Sequence, residues 1–277
     1  MNVPYDWLDL VTKKRKLVAI ASGVVAAVAI IAGVVFSYYS SSTPAAASDN
    51  SSSDINNGDS SSIIVESSSI NSTIPTAFPP ETNQYGLTYG EWTAKWWQWA
   101  LSIPEDKNPV ADETGAHCME GQSGDVWFLA GSFGGMVERV CEIPAGKAIL
   151  FPLMNAECSF AESPDLTTES ELRSCAISAN DGVTELMTTI DGVAMKESDL
   201  RNYRVQSPLF EVNFPEGNIF GVTAGPTQAV SDGYWVFLSP LSPGNHEIHF
   251  RGALVDFTIG STNNFVTESK YHVAVVE

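Results

Sequence analysis

Four tryptophans, Trp92, Trp96, Trp97 and Trp99, crowd into a short stretch of this chain. Indoles at that density either plug a core or offer flat apolar faces to sugar rings. Trp92, Trp96 and Trp99, with Ile103, follow i, i+4, i+7, i+11 spacing and share one helical face, which directs them to a core. Trp97 falls off that stripe, beside Leu101, and is the expected surface aromatic for an envelope glycan or protein. Acid chemistry has two candidate places. Asn155, Glu157 and Glu162 follow the apolar run Ile149–Met154, and Asp112, Glu113 and His117 precede Cys118. Segments beside strand ends are where sites are usually built. Paired carboxylates hydrolyse glycosides when they flank the sugar about 5–10 Å apart, although 33 acidic residues supply many such pairs by chance.

Histidine offers less. His246 and His249 are three apart, so on a strand they point to opposite faces and cannot chelate together. Glu247, His249 and Arg251 share a face instead, either as a polar binding site or as an ordinary solvated face with an ion pair; the ordinary reading is favoured. The H-x-H of a cupin metal site and the zinc motif H-E-x-x-H are both absent. No G-x-S-x-G elbow is present. Gly131, Gly134 and Gly135 are not followed by the Lys-Ser or Lys-Thr of a phosphate loop, and Gly146-Lys147 is followed by Ala148. No cofactor, metal or catalytic residue is expected from these motifs.

The four cysteines, Cys118, Cys141, Cys158 and Cys175, are even in number, which in an oxidising compartment implies two disulfides. Of the three pairings, Cys118–Cys141 with Cys158–Cys175 is preferred, because neighbouring segments usually meet in space.

Elements must position these residues. Thr88-Tyr89-Gly90-Glu91 fits a capping box and starts a helix running to about Ser102, with Pro104 beyond its end. Thr168–Glu171 caps a second short helix through Ala176. Strands are expected at Val126–Ala130, Val137–Ile143, Ala148–Leu153, Val183–Ile190, Leu209–Phe214, Ile219–Thr223, Tyr234–Leu238, His246–Arg251, Leu254–Ile259 and Tyr271–Val276. Gly131–Gly135 connects the first two, and Asp191-Gly192 is a hairpin turn signal. Many short strands at near-regular spacing predict a mainly β fold: an antiparallel β-sandwich, immunoglobulin-like or jelly-roll, carrying one Trp-rich helix and a short second helix.

The amino-terminal part sets the compartment. Lys13, Lys14, Arg15 and Lys16 precede an uncharged run, Leu17 to Tyr39. About 20 apolar residues span a bilayer as a helix. The basic flank predicts a cytoplasmic amino terminus, with Tyr38 and Tyr39 at the outer interface. A cleaved signal peptide is the competing reading, with Ala45, Ala46 and Ala47 near a cleavage site, but its apolar region is usually shorter. The expected organisation is a cytoplasmic segment 1–16, a single-pass signal-anchor 17–39 in the lipid bilayer, a Ser/Asn-rich stalk 40–77, and an extracytoplasmic domain 78–277. The stalk composition predicts a solvated linker. Asn50 and Asn71 head N-glycosylation triplets. The net charge of −19 argues against nucleic acid, whose phosphates need clustered Lys and Arg.

Five phrases carry a resemblance: YGLTYGEWTAKWWQWALSIP (85–104), GDVWFLAGSFGG (124–135), IPAGKAILFPLMN (143–155), TIDGVAM (189–195) and PLSPGNHEIHFRG (240–252). Together they resemble exported, largely uncharacterised microbial proteins with a Trp-rich opening and a β-rich body. The resemblance implies export and a compact domain, and transfers no reaction. The late strands, from Pro243-Gly244-Asn245-His246 onward, also resemble those of immunoglobulin-like modules. The chain is therefore expected to be a surface-exposed module that binds a glycan or protein, or is structural, at the cell envelope. A membrane-tethered hydrolase using carboxylates, and an accessory subunit of a membrane complex, are the alternatives.

Overall fold

A computed structural model of the chain describes residues 76–256 and 263–277. The anchor segment 17–39, nearly all of the stalk, and Asn50 and Asn71 lie outside the described residues. Among the described residues, no helix is long and apolar enough to cross a membrane. Among the described residues, pairing with the sheets begins just before Phe78. Ala77 bridges Leu238, and the Phe78 amide donates to the Phe237 carbonyl at 2.7 Å.

Both expected helices form from the same local device. Helix α1, Tyr89–Ser102, starts at Thr88, whose hydroxyl accepts from the Glu91 amide while the Glu91 carboxylate accepts from the Thr88 amide. Helix α2, Glu169–Asn180, repeats this with Thr168 and Glu171, and runs one turn beyond the expected Ala176. A short helix α3 spans Glu197–Leu200. The hydroxyl and amide of Thr88 hold the Glu91 carboxyl below its ordinary value, and the amide of Thr167 with the hydroxyl and amide of Thr168 does the same for Glu171. A depressed folded-state value means stability that is present above the ordinary value of 4.5 and lost as pH falls through the lowered one. The double variant Glu91→Gln with Glu171→Gln is therefore expected to flatten the acid limb of stability below about pH 5. Urea unfolding across that range checks this; an unchanged acid limb would refute it.

Among the described residues, ten strands make two sheets, and the fold is mainly β. The first sheet orders β1 (Val126–Phe128), β3 (Ala148–Ser159), β8 (Gly225–Leu238) and β6 (Arg204–Gln206), with β7 (Phe210–Phe214) also paired to β8. The second orders β2 (Gly135–Pro144), β10 (Asn263–Val276), β9 (Gly244–Asp256), β4 (Val183–Ile190) and β5 (Val193–Ala194). The sheets face each other across one core, where Phe151 of β3 stacks on Phe250 of β9 at 4.7 Å. A second core lies between the first sheet and α1, where Trp96 meets Trp235 edge-on at 5.3 Å.

The expectation of antiparallel sheets is corrected. Strands β1 and β3 pair in parallel, as do β2 and β10. Between β1 and β3 the chain crosses to the other sheet as β2 and returns, so two reversals leave β1 and β3 running the same way. β10 pairs antiparallel to β9 on one edge and takes β2 on the other, where no short turn dictates direction.

Two further expectations change. His246–Arg251 and the described part of Leu254–Ile259, up to Asp256, belong to one strand, β9, because Gly252 does not break it. Gly252 instead admits close approach, since a methyl there would run into the Leu153 carbonyl. Ile219–Thr223 is not a strand. Asn218, 3 % exposed, accepts from the amides of Phe220 and Val222 and donates to the carbonyls of Pro215 and Val222. A side chain that binds the local backbone in this way replaces a strand ladder with a loop. Asp191-Gly192 is the turn expected, with both residues at positive φ between β4 and β5.

The four cysteines form Cys118–Cys141 and Cys158–Cys175. The first ties the segment after α1 to β2. The second ties the end of β3 to α2.

Candidate functional site

The parity of β3 changes in mid-strand. Up to Pro152, even-numbered residues face α1, as Ala148 and Leu150 do, and odd ones face the second sheet, as Ile149 and Phe151 do. The register then slips between Pro152 and Met154. Beyond the bulge Asn155 lies opposite Gly233 and Glu157 opposite Ser231. Those partners alternate with Trp235, which packs on α1, so the bulge turns Asn155 and Glu157 to the helix side. An unbroken strand would have buried both between the sheets. Bulges commonly re-aim side chains in this manner. Gly233 is required opposite the bulge, because a methyl there would sit 2.7 Å from Asn155 Cα. Gly233→Ala is expected to cost about 1–3 kcal/mol by overpacking and to displace Asn155; a denaturation midpoint within error of the parent would refute this.

There β3, α1, the loops around them, and Val137 of β2 with Phe265 and Thr267 of β10 line a cavity of about 350 Å³. α1 contributes Trp96 and Trp97. The segment after α1 contributes Glu105, Val110, Ala111 and Glu113. The Gly131–Gly134 loop and the Asn218 loop bring in Phe133 and Phe220, whose rings meet at 6.2 Å. β3 contributes Pro152 to Asn155 and Glu157, and Glu162 follows it. The exposed liners Glu105, Glu113 and Phe133 mark the mouth, and the buried ones, Trp97, Met154 and Glu157, mark the floor. The charged liners among the described residues are four glutamates, with no Lys, Arg or His.

Trp97 is corrected here. It is 7 % exposed, not a surface aromatic. Its ring packs edge-on against Trp96 at 5.0 Å, because α1 is covered on more sides than a single stripe requires. Trp92, Trp96 and Trp99 donate their indole N–H groups to the carbonyls of Gln84, Leu129 and Glu120. Trp97 Nε1 is buried with no hydrogen-bond partner among the described residues, and so is Asn155 Nδ2. Trp127 and Trp235 also bury an unpartnered N–H, but neither lines the cavity.

One side chain holds the cavity walls. Arg139 on β2, 1 % exposed, donates to the carbonyls of Val110, Asp112, Ala130 and Gly131 and to the Tyr271 phenol. Val110 and Gly131 both line the cavity. Tyr271 in turn donates to the Ala130 carbonyl at 2.9 Å, and burial pushes its phenol up despite the guanidinium beside it. Burial pushes the Asp112 carboxyl up too, but the amides of His117 and Thr114 and the Arg139 charge bring it below its ordinary value. Sequence reasoning missed Arg139, since an arginine alternating with Val137 and Cys141 gives no sign that its partners are carbonyls.

Glu247, His249 and Arg251 share a face, as alternation requires, and lie away from the cavity. Glu247 pairs with Lys270 at 2.9 Å, His249 with Glu268 at 2.8 Å, and Arg251 with Glu185 at 2.8 Å. Among the described residues, no group of three or more His, Cys, Asp or Glu is placed to hold a metal ion. His117 does not line the cavity; its amide donates to Asp112.

The chain matches no protein-family model, no curated protein and no solved structure. The cavity must therefore be read from its own chemistry. It joins residues from both acidic stretches singled out in the sequence, Glu113 from one and Asn155, Glu157 and Glu162 from the other, with the tryptophan that was set apart from the core stripe.

Proposed function

We propose that this chain is a membrane-anchored, extracytoplasmic module that binds a neutral carbohydrate at the cell envelope. The face-to-face sheets are read as a β-sandwich scaffold for the cavity, and the resemblance to exported microbial proteins agrees with this placement. The observation that carries the reading is the pairing of two unpartnered donors, Trp97 Nε1 and Asn155 Nδ2, with four carboxylates in one aromatic-walled cavity. A buried donor without an acceptor is costly, so the donors call for an acceptor on the ligand. Carboxylate oxygens accept from donors on a ligand. A hydroxyl is both. An ammonium ligand offers no acceptor, and an anion would meet four like charges. The apolar Trp and Phe walls suit the C–H faces of a sugar ring.

The test is retention of the full chain on an array of neutral, amino and acidic glycans together with isolated envelope material. Retention on neutral glycans that falls at least tenfold with Asn155→Leu is the expected result. Equal retention by the parent and the variant, or retention only on acidic glycans, would sink the reading. A second reading, hydrolysis of the bound glycoside, draws on Glu157 and Glu162 lying in the same cavity. Release of reducing sugar by the parent, absent from Glu157→Gln, would establish it.

A further inference from the structure

The shape of the cavity says which part of a glycan enters, on the reading that the ligand is a sugar. Proteins that grip the interior of a polysaccharide lay it along exposed, flat aromatic faces. Here the helix tryptophans are not available for that. Trp96, Trp97 and Trp99 are buried, and Trp92 is half-buried against Phe128 and Phe237. The unpartnered donors sit at the floor, under a mouth that Phe133 and Phe220 flank from two loops. The Phe133 loop turns on Gly134 and Gly135, and the Phe220 loop on Gly217 and Gly221, all at positive φ. At about 350 Å³ the cavity is at the small end of ligand sites, which run from roughly 300 to 1,000 Å³. A chain passing through would need an exit beside the floor, which is lined by the buried Trp97 of α1 and the buried Met154 and Glu157 of β3.

We propose that the cavity is an end-on site for a single terminal sugar ring, either a free monosaccharide or the end of a chain. The ring's hydroxyls meet Trp97 Nε1, Asn155 Nδ2 and the floor carboxylate of Glu157, while Phe133 and Phe220 hold its faces at the mouth. Glu105, Glu113, Glu157 and Glu162 select against rings bearing a carboxylate.

The full chain, oxidised and held in a detergent without a sugar headgroup, is titrated while tryptophan emission is followed. The probes are glucose, glucosamine, N-acetylglucosamine, glucuronate, and a series of glucose oligomers from two to six units. Glucose or N-acetylglucosamine is expected to saturate the signal, with glucuronate at least tenfold weaker and oligomer affinity level beyond two units. Trp97→Phe, which keeps a ring and removes the donor, is expected to weaken binding about tenfold. Phe133→Ala at the exposed mouth tests the same site without touching the floor, and is expected to weaken binding by a similar factor. Affinity that climbs with every added unit, with no monosaccharide bound, would overturn the end-on site and leave the carbohydrate reading standing. Binding of none of these probes would overturn both.

Discussion

Replacing Arg139 by methionine is expected to destabilise the domain by about 3–5 kcal/mol, the range for removing one partner from a buried charged network. The guanidinium is nearly inaccessible and is held by four carbonyls and a phenol. Methionine fills much of the volume but removes the guanidinium donors from the carbonyls of Val110, Asp112, Ala130 and Gly131, of which Ala130 keeps the Tyr271 phenol, and each stranded buried group costs about 1–3 kcal/mol. Lysine is expected to recover only part of the loss. Its single ammonium cannot reach acceptors arranged around a planar fork. Because the same hydrogen bonds fix Val110 and Gly131, both variants are also expected to loosen the cavity walls. Urea unfolding of parent, Arg139→Met and Arg139→Lys gives the ranking. If methionine matched the parent, the network would have no energetic weight.

Reducing both disulfides is expected to remove about 6 kcal/mol, about 3 from each. The cross-links span 23 and 17 residues, and in the chain-entropy model a closed loop of about 15 residues is worth about 3 kcal/mol. They join different pairs of elements, so their contributions should add. Typical domain stability is about 5–15 kcal/mol, so the reduced chain would stand close to unfolding. Thermal melts with and without reductant, alongside thiol titration, decide the matter. Four titratable thiols before reduction, with an unchanged melt, would contradict the cross-links.

What could be read from the sequence was what the backbone settles within a few residues. Thr88 with Glu91, and Thr168 with Glu171, announce helix starts because each box is closed by residues three apart. Asp191-Gly192 announces a turn because both positions need positive φ. The cysteine pairing followed from proximity along the chain. What stayed hidden depends on partners far away. Nothing near Pro152 signals a bulge; the residues that make room around it, Gly233 on β8 and Gly252 on β9 of the facing sheet, lie far along the chain. Strand direction also stayed hidden, since alternation reads the same in parallel and antiparallel pairs. The helical stripe placed Trp96 and Trp99 correctly, yet it could not place Trp97, whose burial comes from the Trp96 ring and the walls of the cavity. The acidic stretches at 112–113 and 155–162 were visible as chemistry, while their meeting in one cavity was not.

The position of β10 has a consequence for biosynthesis. It is the strand on which β2 and β9 both depend, and the residues it brings to β2 are 132 positions away, as between Arg139 and Tyr271. Closing so long a span precedes any energetic return, which makes such pairings slow to form. A ribosome that has delivered residues only as far as β9 has made two strands with no common neighbour, each with an open edge able to recruit a stranger. The nascent chain is thus most prone to mispairing late in its synthesis, and a holdase would be needed most during the interval between the emergence of β9 and that of β10.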